Sequence, residues 1–240
     1  MKTQTINFVK VRGFSLVELM VAGILGLILL GGVVSVFVGS KTSYSMQEEL
    51  ANVQTDGRFA ITYMERIVQN SGWFGGTAGS TTAINAANTS DDGSDFDRLS
   101  TLMSDMTNTL DCNGANVASG DVISSFYVDE GSLMCQGTGG GAQPVISNVV
   151  SFQVLYGIDT TNDGVVNQYV NAGSVTDFSK VYAVKIGLLI QTPNNVVDEN
   201  VVQEYTVLDR TYNFEDRRLR RAFSTTIQIP NQAYGTVRIL

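Results

Sequence analysis

Four groups of residues in this chain of 240 have types and spacings that bear on chemistry. They are an acid inside an apolar run (Glu18), a pair of cysteines (Cys112 and Cys135), an aspartate-rich turn at 159–164, and an arginine cluster of Arg217, Arg218, Arg220 and Arg221. The sequence contains no histidine. That removes Ser-His-Asp and Cys-His nucleophilic catalysis, HExxH zinc sites and imidazole proton shuttling together. The remaining residues suggest no catalytic constellation, so the chain reads as a non-enzyme. Fifteen basic against 23 acidic residues leave a net charge of −8, the wrong sign for a body that binds nucleic acid. Gly39-Ser40-Lys41-Thr42 resembles the end of a phosphate-binding loop, but Val34 stands where the upstream glycine is required and no strand pattern precedes it.

Glu18 is informative because of where it sits. Residues 14–38 read FSLVELMVAGILGLILLGGVVSVFV, with Glu18 the only charge. As a helix rising about 1.5 Å per residue, 19–38 spans about 30 Å, the thickness of a bilayer's hydrocarbon core. Lys2, Lys10 and Arg12 precede the run and Lys41 follows it, which places the amino end in the cytoplasm and the rest beyond the inner membrane. The run is longer than a secretory signal's apolar core, and no A-x-A cleavage site follows it. A carboxylate in lipid is costly unless a partner meets it, so Glu18 needs one. Ala22 and Gly26 form a small-xxx-small pair that permits close helix approach.

Gly13-Phe14-Ser15-Leu16-Val17-Glu18 resembles the type IV prepilin signature, a glycine followed by F-[ST]-L-[IVL]-E and an apolar helix. The resemblance implies cleavage by a prepilin peptidase between Gly13 and Phe14, then N-methylation of Phe14. It also implies that Glu18 pairs with the terminal ammonium of a neighbouring subunit during assembly, an attraction strengthened in low dielectric. Many major pilins carry a proline in this helix; here the first proline is Pro144.

The helix is expected to continue past the membrane. Met46, Leu50, Val53, Gly57, Ile61, Met64 and Val68 recur every three to four residues, the mark of an amphipathic helix, and Gly72 is a natural stop. A helix from Phe14 to about Asn70 would be about 85 Å long. The segment Asp56-Gly57-Arg58-Phe59-Ala60 and the following SGWFG at 71–75 are similar to the PilW family of minor pilins. That resemblance implies an α+β fold of the type IV pilin-like lollipop kind, a long amino-terminal helix packed on an antiparallel β-sheet domain. The expected organisation is a leader at 1–13, a transmembrane and assembly helix at 14–40, an amphipathic periplasmic helix at 41–72, and a β-rich globular domain at 73–240.

Within that domain, 75–120 is rich in Gly, Ser, Thr, Asn and Asp and reads as a loop-rich insertion. Its acidic cluster, Asp91, Asp92, Asp95 and Asp97, reads as a solvated turn or, second, a cation site. Strand candidates follow at 121–128, 145–158, 181–192, 201–208 and 222–229, separated by turn residues. Successive strands after one long helix indicate an antiparallel sheet packed on that helix. Cys112 and Cys135, the only cysteines, are expected to pair in an oxidising compartment. Residues 159–164, DTTNDG, partly match a calcium loop, with Asp159, Asp163 and Asn167 as candidate ligands; Thr161 and Val170 depart from it, and an Asp-Gly turn explains the same residues. The arginine-rich RRLRRAFSTTIQIPN segment at 217–231 resembles the terminal segment of PilW and of J-type pseudopilins, and suggests docking to an acidic neighbour.

These resemblances imply a minor pilin that primes a type IV pilus at or near its tip, with roles in adhesion and twitching motility. Its partners would be the peptidase, other minor and major pilins, and the inner-membrane assembly machinery. It would begin as a single-pass inner-membrane precursor with a periplasmic carboxyl-terminal domain and end in the extracellular pilus. A J-type pseudopilin of type II secretion and a tip adhesin or ligand-binding module are the alternatives.

Overall fold

The computed structural model describes residues 13–76, 82–91, 93 and 95–234. Lys2, Lys10 and Arg12 of the expected leader, and Asp92 of the acidic cluster, lie outside the described residues. The chain forms two compact units, Met1–Met46 and Gln47–Leu240. Helix α1, Leu16–Asn70, contributes to both. In the first unit its apolar side chains are exposed, Leu19 at 70%, Ile28 at 66% and Phe37 at 68%. The helix is long and apolar enough to cross a membrane. It starts at Ser15, whose carbonyl accepts the first helical bond from Leu19 N–H at 3.1 Å.

In the second unit α1 buries Val53, Gly57, Ala60, Met64 and Val68, a stripe at three- and four-residue spacing on one helix face. Gly72 ends the run with φ +76°, the left-handed conformation that glycine adopts without strain. Its N–H donates to Leu102 O at 2.8 Å.

Among the described residues ten strands follow: β1 Leu99–Leu110, β2 Asn116–Asp129, β3 Ser132–Gly137, β4 Gln143–Ile146, β5 Val149–Ile158, β6 Gln168–Val170, β7 Val181–Gln191, β8 Val201–Val207, β9 Arg210–Asp216 and β10 Arg220–Gln228. They make two four-stranded antiparallel sheets, β1-β2-β3-β4 and β10-β7-β5-β6, and a separate β8-β9 hairpin. The sequence pointed to one sheet; the structure has two, both touching α1. Tyr63 meets Phe126 of β2 edge to face at 6.0 Å between centroids, while Phe223 of β10 lies against Gly57. β5 and β7 are buried at most positions, as expected of central strands covered on both faces.

Two expectations are corrected. The run 145–158 is not one strand. Asn148, at φ +61°, breaks it, so β4 joins the first sheet and β5 the second. Nor is 75–120 a loop-rich insertion throughout, because Leu99–Leu110 and the start of β2 form the longest hairpin of the first sheet. The polar run Ser104 to Thr109 hides β1 by composition. A register shift between Met103 and Met106 interrupts its alternation, with Asp105 and Asn108 in the left-handed region, as a bulge requires. Residues 83–91 carry a short 3-10 turn at Ala86–Asn88 and lie along the edge of β1, with Asn85 N–H on Ser100 O and Leu102 N–H on Ala83 O, both at 2.8 Å.

A short helix, α2 Pro230–Tyr234, returns the chain to the end of α1. Asn231 Nδ2 donates to Ser71 O at 3.0 Å and lies 3.4 Å from the carbonyls of Gln69 and Asn70. Gln232 accepts from Ala83 N–H at 2.8 Å and donates to Ser179 O at 2.7 Å. These side chains satisfy backbone groups that a helix end and a loop would otherwise leave orphaned.

Candidate functional site

The amino-terminal site is built by the start of α1. Gly13, Phe14 and Ser15 precede the first helical residue and are exposed, Phe14 at 82%, and nothing lies within 4 Å of a Cβ built on Gly13. The bond between Gly13 and Phe14 therefore lies ahead of the first helical residue, between two exposed residues. Ser15 and Glu18 have the S-x-x-E spacing of a capping box, and Glu18 is the acid of the first turn, where the helix dipole favours negative charge. Glu18 is exposed, so a carboxylate is presented on the apolar stem four residues beyond Phe14.

Cys112 and Cys135 form a disulfide, with Cα atoms 6.2 Å apart, and both are buried. Asp111 organises the turn beside it. One carboxylate oxygen accepts from the N–H groups of Asn113 and Ala115 at 3.1 and 3.0 Å, the other from Gly139 N–H at 2.8 Å. The bridge thus ties the turn after β1 to β3 across the first sheet. Replacing both cysteines by serine is expected to destabilise the globular unit by about 3 kcal/mol, read as a lower denaturant midpoint in the unreduced state.

The three calcium candidates lie in the β5–β6 connection. Asp159 accepts from the N–H groups of Thr161, Asn162 and Gly164 at 2.9, 2.7 and 2.7 Å. Burial pushes its carboxyl upward, but these amide bonds and the Thr161 hydroxyl outweigh it and hold the pKa below the ordinary value. Asp163 accepts from Val165 N–H at 2.9 Å. Asn167 Oδ1 accepts from the Thr160 hydroxyl at 3.0 Å. The oxygens a cation would take are turned onto amide and hydroxyl protons, which is an Asx turn closing a hairpin. Among the described residues no three His, Cys, Asp or Glu side chains are grouped to hold a metal.

The arginine cluster is also divided. Arg220 is 6% exposed, holds Asp216 through two bonds of 2.9 and 2.5 Å, and stacks on the Phe214 ring at 3.7 Å. Its hydrogen bonds hold the Asp216 carboxyl below the usual range. Arg217 donates to Val197 O at 2.8 Å. Arg221 is exposed. So Arg220 is internal, and a docking patch would have to be made by the others.

Sequence reasoning did not find two features: the seat that Gly57 makes for Phe223 and the burial of Asp97. Only Gly57 left a signal, a glycine on the apolar face of a helix where alanine would propagate the helix better.

An exposed apolar stem helix leading into an α+β unit of antiparallel sheets is the architecture of type IV pilins. A type IV-like pilin from Thermus thermophilus shares this fold, with a TM-score of 0.50 and 18% identity, over 78% of this chain and 96% of that one. The family described as Type IV Pilus-assembly protein W matches residues 113–231, all within the globular unit. The family match and the shared fold together support a pilin of the PilW type. No curated protein matches it in sequence.

Proposed function

We propose that this chain is a minor pilin that primes assembly of a type IV pilus and is incorporated at or near its tip. A prepilin peptidase cuts the inner-membrane precursor between Gly13 and Phe14, and Phe14 is N-methylated. The observation that carries this reading is the stem, apolar and exposed along 14–38 with a single carboxylate in its first turn, on a chain whose globular unit matches the PilW family. Apolar surface of that extent must be covered, by lipid in the precursor and by other pilin stems in the filament. Cleavage creates an ammonium at Phe14, and Glu18 pairs with that of a neighbouring copy or partner pilin. A small complex of minor pilins joined this way lowers the barrier to starting a filament, and the inner-membrane machinery then adds major pilins behind it.

Mass spectrometry of the amino terminus tests this directly. The filament-derived chain is expected to begin at a methylated Phe14, and Gly13→Leu is expected to leave the precursor at full length. Normal shortening of the Gly13→Leu chain would refute the prepilin reading. Loss of surface pili on deletion, with protein secretion intact, separates the pilus role from that of a secretion pseudopilin.

A further inference from the structure

Residues 89–91, 93 and 95–98 form a junction of the globular unit. It is held to β1 by the Thr89 hydroxyl, which accepts from Ser100 N–H at 3.1 Å. It is held to β5 by Asp97 N–H on Phe152 O at 2.8 Å and Phe152 N–H on Asp95 O at 3.1 Å. It is held to the β8-β9 hairpin by Arg210, which donates to Gly93 O at 2.8 Å and lies 3.7 Å from the Asp91 carboxylate. Asp97 sits at the centre, 3% exposed. One of its oxygens accepts from Val154 N–H at 2.7 Å; the other is buried with no hydrogen-bond partner among the described residues.

We propose that Asp97 is a pH-responsive latch that fastens this junction to β5, closed when its carboxyl is protonated and loosened when it is ionised. A buried carboxylate seeks several donors, and this one has a single amide, an arrangement that suits the neutral acid. The groups facing it agree. Asp91 from the segment and Asp209 from the hairpin turn oppose a negative charge, and among the described residues Arg210 is the cation that favours it. Tyr156 from β5 and Tyr212 from β9 offer phenols that burial itself holds neutral, and Asp95 adds a further negative charge toward Tyr212. Burial is the largest influence and carries Asp97 up to about 7, against the pull of the Val154 amide. With the folded value above the unfolded one, the stabilisation is complete in acid, below the unfolded pKa, and is lost as pH rises through about 7. The inference rests on the junction alone and is independent of the pilus reading.

Amide hydrogen exchange on the full chain in detergent micelles tests it. After correction for intrinsic exchange chemistry, protection of the Val154 and Asp97 amides is expected to fall about tenfold between about pH 6 and about pH 8.5. Asp97→Asn keeps an oxygen for Val154 and has no proton to lose, so its protection is expected to stay level. Asp209→Asn leaves Asp97 in place and removes one facing negative charge that holds the Asp97 carboxyl up, so the loosening midpoint moves to lower pH; this arm holds even should Asp97→Asn fail to fold. Level protection in the unaltered chain, an unchanged slope in Asp97→Asn, or an unmoved midpoint in Asp209→Asn would overturn the latch.

Discussion

Glu18→Ala is expected to insert in the membrane as well as the unaltered chain does and yet to fall at least about tenfold in sheared filaments, counted by immunoblot against total cellular protein. Insertion is preserved because the substitution removes the one charge of the stem and makes it more apolar. Incorporation is lost because only the carboxylate distinguishes one depth of this uniformly apolar helix from another. A tenfold change needs about 1.4 kcal/mol, a small part of what an ion pair is worth where water is excluded. Glu18→Asp keeps the charge on a shorter arm and is expected to recover part of the incorporation. Equal entry of the alanine chain into filaments would remove the pairing account.

Gly57→Ala is expected to destabilise the globular unit by about 2 kcal/mol, measured as a denaturant midpoint by circular dichroism. In an open helix the same change would stabilise by about 1 kcal/mol, so the sign decides the matter. A Cβ at position 57 would lie 2.3, 2.4 and 2.6 Å from three ring atoms of Phe223. The ring is held by β10, which pairs with β7 from Arg220 to Gln228, and overpacking at such a contact costs about 1–3 kcal/mol. Combining Gly57→Ala with Phe223→Leu, whose smaller side chain leaves room, is expected to restore most of the loss, as coupled neighbours do. An alanine chain as stable as the unaltered one would show that Phe223 does not need the seat.

The stem was legible because it depends on local rules. A three-to-four spacing marked the buried stripe from Val53 to Val68, and a glycine marked its end. β5 and β7 announced themselves through β-branched runs, and the cysteine pair through its isolation. What was not legible depends on partners distant in sequence. β1 is a strand because β2 pairs with it, despite its serines, threonines and asparagines. The division of the strands into two sheets follows from Asn148, one polar residue in a long apolar stretch. Asp97 looked like its neighbours in an acidic turn, and only the approach of β5 and the hairpin turns it inward. Arg220 likewise belongs to a basic run in sequence and to the Asp216–Phe214 cluster in space. At the amino terminus the opposite holds: the signature is local, and the structure adds only that Gly13, Phe14 and Ser15 are exposed ahead of the first helical residue.

The cap on the end of α1 bears on the order in which the molecule is finished. Asn231 reaches carbonyls of residues 69, 70 and 71, up to 162 positions earlier, and Gln232 fastens Ala83 and Ser179 at once. Synthesis runs from the amino end, so every residue up to Gln232 must emerge before this clasp can close. Until it closes, the last carbonyls of α1 and the backbone groups of Ala83 and Ser179 are without these partners.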